Sequence, residues 1–383
     1  MTLAGFVVKS AFRNKRRSIL TILSIGFSLL LLTLMMTIWR SFYIDQGAPE
    51  SAKRVITRHK TSLANFLPLY YRDKIRTVPG VVAVVPMTWF GGKYIDDRPE
   101  HSFTQMATDP DEYLKVASDK LVPPEQVLAW QRDRAGALVD VELAKQYGWK
   151  IGDRITLLGT IFDVNPELTI RAIYTMTPSP RIIYFNEKYL EEAEPWFKGT
   201  AGFYDTRVQS ADDVPRVEQA IDDLFRNSPA RTKSESEHAF RLSFIAQLGN
   251  VKAFILSICG AVVFTILLVS ANTMAMSVRA RTSEVAVLKT LGFTKQRVLS
   301  LFVGEAVALS VIGGGLGILS AAGLTLFLSK SPIAVGVPAG FTVTFPTMLV
   351  ALFVAAFVGL LSGSLPAYNA SRTNIVEGLR HIG

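Results

Sequence analysis

The amino-acid sequence predicts an α-helical membrane protein with four transmembrane helices, plus an α+β extracytoplasmic domain inserted between the first and second of them. Two observations lead to this fold class. The 383 residues are 49% hydrophobic, and several long stretches carry no charged residue. The net charge of +9 is concentrated in short segments that flank those stretches. An apolar stretch of about 20 residues is long enough to cross a bilayer, and basic flanks indicate which ends face the cytoplasm.

The first predicted transmembrane helix covers residues 18–39, after a cytoplasmic amphipathic N-terminus at residues 1–17. A secretory signal peptide is the alternative, because a basic start precedes an apolar core. Signal-peptide cores contain about 7–15 residues and end at a cleavage site of small residues. Here the core has 22 uncharged residues and is followed by RSFYID. These features favour a retained membrane anchor.

Residues 40–250 are predicted to form the extracytoplasmic α+β domain and to end in a stalk helix. Strands are predicted at 53–56, 81–86, 154–158, 168–174 and 181–185. Helices are predicted at 69–77, 124–132, 141–147, 186–193 and 214–227. One further helix is expected to run without interruption from residue 234 to residue 278, because four apolar residues recur on one face. These four residues are Phe240, Phe244, Leu248 and Val251.

The remaining predicted segments alternate between apolar and basic. They are the second span (251–277), a cytoplasmic connector (278–297), the third span (298–328), an outer loop (329–343), the fourth span (344–364) and a cytoplasmic tail (365–383). Residues 1–17 and 278–297 carry five basic residues each, whereas residues 40–251 carry 27 basic and 29 acidic residues. This asymmetry predicts that both termini are cytoplasmic, and it gives no sign of nucleic-acid binding.

Two features of the third span are candidates for a special role. Glu305 is an acidic residue inside the span, about two turns from Arg297. It is expected to reach the headgroup region, to pair with a basic neighbour, or to have a function of its own. Gly313 and Gly317 form a GxxxG motif, which permits close helix packing. Glycines tolerated at a lipid-facing position are an equally good interpretation.

The connector is predicted to contain a short basic amphipathic helix. Thr282 or Ser283 is the expected N-terminal cap, Gly292 the C-terminal stop, and Thr294 the cap of the next helix. Apolar residues at helical spacing predict one apolar face, which consists of Val285, Leu288 and Leu291. Periodicity alone also fits an interfacial connector whose charges only fix the topology.

The amino-acid sequence of the connector resembles a known family signature. Residues 281–293 read R-x-x-E-V-A-V-L-K-T-L-G-F, and the next span opens with LFVGEAV. This closely resembles the signature of the FtsX/MacB-type permease family, the type VII ABC transporters. The resemblance implies that the connector is a coupling helix that docks on a separate cytoplasmic ATPase. The residues expected at that contact are Glu284, Leu288, Lys289, Leu291, Gly292 and Phe293.

Two passages of the polar domain extend the resemblance. ALVDVELAKQYGWKIGDRITLLG (137–159) and VQSADDVPRVEQAIDDLF (208–225) are similar to passages of the MacB-like periplasmic core domain. In the first, a helix leads through a glycine turn into a strand. The family divides this domain into a porter-like part and an inserted subdomain, which is expected here at about 108–200. The tail is similar to the family's ending.

The resemblance also implies a mechanism and partners. The chain is expected to be a permease subunit in a bacterial cytoplasmic (inner) membrane, which carries motion from the ATPase to the outer domain. ATP and Mg would bind the partner ATPase, with no cofactor in this chain. A second permease copy, membrane lipid and a periplasmic adaptor or substrate carrier are the other expected partners. The alternatives are an FtsX-like regulator of a cell-envelope hydrolase and a LolC/LolE-like lipoprotein-releasing subunit.

Enzyme motifs are absent from the sequence. It contains no G-x-x-x-x-G-K-[ST] phosphate-binding loop, no H-E-x-x-H motif and no paired-cysteine spacing. The single cysteine, Cys259, excludes an intrachain disulfide, and the four histidines are scattered. We therefore predict a non-catalytic chain with no metal site.

Overall fold

The computed structural model describes residues 14–44, 49–98, 101–177, 179–247, 249–330 and 341–372. Predictions for residues 1–13, for most of the outer loop and for the tail beyond residue 372 lie outside these ranges. The chain divides into two compact units. One contains the apolar helices and the connector, and the other is the polar domain.

The helices, in chain order, are α1 (Lys15–Tyr43), α2 (Tyr71–Arg76), α3 (Pro110–Val116), α4 (Pro124–Arg132), α5 (Val141–Tyr147), α6 (Glu187–Ala193), α7 (Val214–Leu224), α8 (Glu237–Gln247), α9 (Val251–Arg279), α10 (Thr282–Thr290), α11 (Lys295–Lys330) and α12 (Phe345–Arg372). The strands are β1 (Arg54–His59), β2 (Leu67–Pro68), β3 (Val81–Trp89), β4 (Thr104–Thr108), β5 (Gly136–Asp140), β6 (Arg154–Thr156), β7 (Glu167–Tyr174), β8 (Ile182–Asn186), β9 (Thr200–Ala201), β10 (Phe203–Val208) and β11 (Thr232–Ser236).

Within the described residues, four helices are long and apolar enough to cross a membrane: α1, α9, α11 and α12. Their contacts are built from small and aliphatic side chains. Ile25 and Leu29 of α1 share a buried cluster with Ile266 of α9 and with Ala355 and Val358 of α12. The predicted fold class is confirmed, because four such helices are present and the α+β domain lies in sequence between the first and the second.

The polar domain is built on a nine-stranded sheet. The strand order is β11-β1-β10-β3-β4-β8-β5-β7-β6, and β2 pairs with β9 in a separate two-stranded sheet. The pairs β4–β8 and β5–β7 are parallel, and the other pairs of the large sheet are antiparallel. Residues 104–186 therefore contribute five neighbouring strands to one end of this sheet, and the two ends of the domain sequence contribute the other four.

Helices cover both faces of this sheet around strand β3, the fourth of the nine. Val84 faces a core formed with α2 and α7, which includes Ile75 and Val217. The next residue, Val85, faces the opposite core, which includes Tyr113 of α3 and Trp130 of α4. Successive residues of a strand point to opposite faces, so the apolar run in β3 serves two cores at once.

Local sequence signals account for most of these elements. The helices predicted at 124–132 and 141–147 coincide with α4 and α5. The α5 helix ends at Gly148, whose φ of 70° is the left-handed conformation that favours glycine. Asp140 caps its other end by accepting from the Glu142 amide at 2.8 Å. The predicted sequence of helix, glycine turn and strand is thus confirmed.

The predicted uninterrupted helix from 234 to 278 is wrong. Residues 232–236 form the edge strand β11, in which Ser234 pairs with Thr57 of β1. The helix that follows ends at Gln247, and Gly249 has a φ of 94°, which an α-helix cannot contain. A new helix starts at Val251, capped by the Asn250 side chain. Among the four apolar residues of the predicted stripe, Phe240 packs on Phe203 of β10 and on Phe244, whereas Leu248 lies outside the described residues.

Candidate functional site

The connector between α9 and α11 begins differently from the prediction. The residue that caps α10 is Arg281, and no side chain makes a capping hydrogen bond there. The Thr282 hydroxyl instead donates back to the Arg279 carbonyl at 3.0 Å, so neither Thr282 nor Ser283 is the predicted side-chain cap. The predicted role of Thr294 is confirmed, because its hydroxyl accepts from the Arg297 amide at the start of α11.

One side of α10 is buried against the ends of the spans. Val285 and Ala286 are both only 2% exposed. Val285 belongs to a cluster with Met274 of α9, Phe302 of α11 and Ala367 of α12. Three spans therefore hold the connector helix from its inner side, which fixes its position by apolar packing.

The other side of the connector is apolar and exposed. Leu291 is 71% exposed, Val287 is 46% exposed and Phe293 is 36% exposed. Gly292 has a φ of 89°, and the amide of Phe293 closes the helix end by donating to the Leu288 carbonyl at 3.1 Å. The glycine turn thus presents Leu291 and Phe293 at the tip of the connector.

The single apolar face predicted for the connector is therefore wrong. Val285 is buried, Leu288 is half-buried and Leu291 is exposed. Leu291 lies just past Thr290, the last residue of α10, as its C-terminal cap. Two steps of three residues also leave Leu291 about 120° around the helix axis from Val285, because the helix has about 3.6 residues per turn. Glu284, in the first turn of α10, is half-buried.

Lys289 has a structural partner. Its ammonium group donates to the backbone carbonyl of Ser371, near the end of α12, at 2.7 Å. Ser371 is the last residue but one of α12 in the described part of the chain. The contact therefore attaches the C-terminal end of α10 to the end of the fourth span. Of the six residues expected at a partner contact, Leu291, Gly292 and Phe293 lie together at the exposed tip, whereas Glu284, Leu288 and Lys289 lie closer to the spans.

Glu305 is buried beside two arginines. The Arg281 guanidinium donates to its carboxylate at 2.8 Å, and Arg17 of α1 lies 4.0 Å from the other oxygen. Arg17 also donates to the Ser277 hydroxyl of α9 at 2.8 Å. The expectation that Glu305 pairs with a basic neighbour is met by Arg281, whereas Arg297 is exposed. Sequence spacing did not suggest Arg17, since it is 288 positions away from Glu305.

The GxxxG motif of α11 lies at a close helix crossing with α1. A Cβ atom added at Gly317 would lie 2.3 Å from the Gly26 carbonyl oxygen, and one at Gly313 would lie 2.9 Å from the Ile22 carbonyl oxygen. Close packing, and not lipid exposure, accounts for both glycines. A second GxxxG motif, which sequence reasoning did not single out, places Gly359 and Gly363 of α12 against α11.

Comparison with known proteins identifies the family. Residues 18–224, more than half of the chain, match the model of the MacB-like periplasmic core domain. The chain belongs to the FtsX/MacB-type family of ABC transporter permeases. Residues 251–375 match a second model, the FtsX-like permease C-terminal region. The helices α9 to α12 and the connector therefore form the FtsX-like part, and the polar domain is of the MacB type.

Individual relatives of this FtsX/MacB-type permease cover different shares of the chain. A Macrolide export ATP-binding/permease protein MacB from Bdellovibrio bacteriovorus is 30% identical over 46% of this chain and 28% of its own length. The uncharacterized ABC transporter permease YknZ from Bacillus subtilis is 28% identical over 70% of this chain and 66% of its own length. The solved extracellular domain of YknZ aligns with 48% of this chain at a TM-score of 0.36 and 12% identity. The chain thus spans less than a third of the MacB relative.

Proposed function

We propose that this permease couples ATP hydrolysis by a separate ATPase to a conformational change in its outer domain, by mechanotransmission. The motion would drive efflux, or extraction of a substrate from the outer side of the membrane. The observation that carries the proposal is the tip of the connector, where Leu291 and Phe293 stand exposed on a glycine turn while Val285 anchors the same helix among three spans.

An apolar tip on a basic connector favours a protein partner over lipid. Lys295 and Arg297 follow Phe293 closely, and both are exposed. Covering the two apolar side chains with a partner pocket removes their surface from water, and apolar or aromatic anchors of this kind contribute much of the binding energy at protein interfaces. The basic residues around them suit an acidic rim on the partner.

The charge distribution supports a cytoplasmic position for this tip. With four spans, the basic residues 1–17, the connector and the tail fall on the same side of the membrane, as the positive-inside rule requires for cytoplasmic segments. The membrane is then the bacterial inner membrane, with both termini inside and the polar domain outside. ATP and Mg bind the partner ATPase, on the side where both are available to it.

We propose an assembly of two permeases and two ATPases, in which each connector tip contacts one ATPase. Closure of the ATPases on ATP draws the two connectors together, and the spans carry that displacement outward. A relative described as a macrolide export protein supports export as the work performed. A periplasmic adaptor or a substrate carrier would then meet the outer domain.

The experiment that tests this function removes the apolar tip. Leu291→Asp and Phe293→Asp place a charge in the proposed partner pocket, and the matched control is Leu121→Asp, at an apolar residue of the polar domain that is 70% exposed. Tagged chains are purified from membranes, and the co-purified ATPase is measured. Both tip variants are expected to lose about tenfold or more of the ATPase, with normal membrane insertion. Wild-type retention of the ATPase by both tip variants would refute the proposed docking site.

A further inference from the structure

The connector is attached to the span bundle by polar contacts at both of its ends. At its start, Arg281 donates to Glu305 of α11 at 2.8 Å, and at its end Lys289 donates to the Ser371 carbonyl of α12 at 2.7 Å. The two contacts differ in burial. Glu305 is 1% exposed and Arg281 is 8% exposed, whereas Lys289 is half-buried. The Arg281–Glu305 contact is therefore a buried ion pair, whereas the Lys289 contact contains one charged group, which is half-buried.

Several helices meet at the Glu305 carboxylate. One oxygen accepts from Arg281, and the other lies 4.0 Å from Arg17 of α1. Arg17 in turn donates to Ser277 of α9 at 2.8 Å. One acidic side chain of α11 thereby connects the start of the connector with the first span, and through Arg17 with the second. Gly26 and Gly317 bring α1 and α11 into backbone contact further along the same pair of helices.

Burial makes this junction stiff. Separating two charges inside a low-dielectric bundle is costly, because neither regains water when the contact breaks. A displacement of Arg281 is therefore followed by Glu305 and does not open the pair. In an exposed pair, water would replace the contact between the two charged groups, and the pair would not transmit the displacement.

We infer that Glu305 is a positioning residue that passes the displacement of the connector to α11 and α1. This inference rests on the proposed function and adds the route by which the motion leaves the connector. Glu305 contacts neither the ATPase nor a substrate in this account. Its loss is expected to leave ATPase docking intact, since the tip residues Leu291 and Phe293 do not depend on it, while the outer domain stops responding to ATP.

The test uses the full chain with its ATPase in nanodiscs. A reporter cysteine replaces exposed Lys145 of the outer domain in a Cys259→Ala background, and its labelling rate is compared with and without ATP. Glu305→Gln is expected to keep the bound ATPase within about twofold and to reduce the ATP-dependent change in labelling about fivefold or more. Glu305→Asp and Arg281→Lys keep both charges and are expected to retain most of the response.

Ser362→Ala is the matched structural control, because it removes a buried 2.7 Å hydrogen bond between Ser270 of α9 and Ser362 of α12 in the same bundle. It is expected to lower thermal stability without abolishing the response. A wild-type response in Glu305→Gln, or an equal loss in Ser362→Ala at equal stability, would overturn the inference. Failure of the wild-type chain to bind an ATPase would instead overturn the proposed function, so the two failures are distinguishable.

Discussion

Arg54 and Asp119 form a buried two-point ion pair inside the polar domain. The two terminal nitrogens of Arg54 donate to the two carboxylate oxygens of Asp119 at 3.0 and 2.9 Å, and its Nε donates to Glu237 at 2.7 Å. Burial raises the pKa of the neighbouring Asp205 to about 7, although Arg54 opposes that shift. One guanidinium group therefore joins the first strand of the sheet to the segment after α3 and to the first residue of α8.

Replacing Arg54 by Met is expected to destabilise the polar domain by about 3–5 kcal/mol, because buried Asp119 and half-buried Glu237 would lose the guanidinium group that pairs with both. The free energy of unfolding of the purified chain in detergent, measured with denaturant, checks this. The matched control is Arg154→Met, which breaks an ion pair with Glu167 in which both side chains are more than half exposed. That variant is expected to lose less than about 1 kcal/mol. Similar losses in both variants would contradict the assigned role of Arg54.

The raised pKa of buried Glu187 predicts that the stability of the polar domain depends on pH. Burial, with added repulsion from Asp109 and Glu191, raises its pKa to about 8. Folded Glu187 therefore holds a proton that the unfolded chain releases above about pH 4.3. Its contribution to stability is fully present below that pH and is lost as the pH rises through about 8, by at most about 1.4 kcal/mol per pH unit. Glu187→Gln is expected to flatten this part of the curve.

Denaturant unfolding of the wild type and Glu187→Gln at pH 5, 7 and 9 measures the effect as a difference between the two proteins. The wild type is expected to lose stability relative to the variant as the pH increases, because only the wild type releases a proton from this site on unfolding. Glu142→Gln is the control, because Glu142 is exposed and its side chain pairs with Lys145. A difference between the wild type and Glu187→Gln that does not change with pH would show that Glu187 is ionised in the folded domain.

The parts of the fold that sequence reasoning found are those with a local signal. Runs of uncharged residues are enough to locate the four spans, and capping residues such as Asp140 and Gly148 locate helices within the domain. Four strands of the large sheet were not predicted: β4, β5, β10 and β11. The last two contain polar residues that weaken the apolar signal of a strand, namely Asp205 and Arg207 in β10 and TKSES in β11. Both strands are defined by hydrogen bonds to β1, which lies far away from them in sequence.

The candidate site likewise has some features with a local sequence signal and others that depend on contacts between distant segments. The position of the connector and its glycine stop follow from local sequence, and the structure agrees with both. The partners of Glu305 do not, because Arg17 and Arg281 come from different segments and only tertiary packing brings them together. The exposure of Leu291 also depends on where α10 ends, which sequence reasoning locates least reliably.

Gly317→Ala is expected to destabilise the span bundle. Its added methyl group would lie 2.3 Å from the Gly26 carbonyl oxygen, so α1 and α11 must separate at a cost of about 1–3 kcal/mol. Gly323→Ala is the matched control on the same helix, because nothing lies within 4 Å of its added Cβ atom. The thermal unfolding midpoint in detergent should fall for Gly317→Ala and stay nearly unchanged for Gly323→Ala. An unchanged midpoint for Gly317→Ala would contradict the close packing of α1 against α11 at this crossing.

A substitution at Gly292 tests the backbone conformation of the turn, because it strains the backbone without causing a steric clash. Its φ is 89°, and no atom lies within 4 Å of an added Cβ atom. Gly292→Ala is therefore expected to strain the turn by about 1 kcal/mol and to shift Leu291 and Phe293, which should weaken co-purification of the ATPase about fivefold. Gly292→Asn should lose less, since Asn adopts left-handed conformations more readily than Ala. Gly260→Ala, within α9 and equally unobstructed, is the control and should bind normally. If Gly292→Ala and Gly292→Asn both bind like the wild type, the turn does not set the geometry of the docking tip.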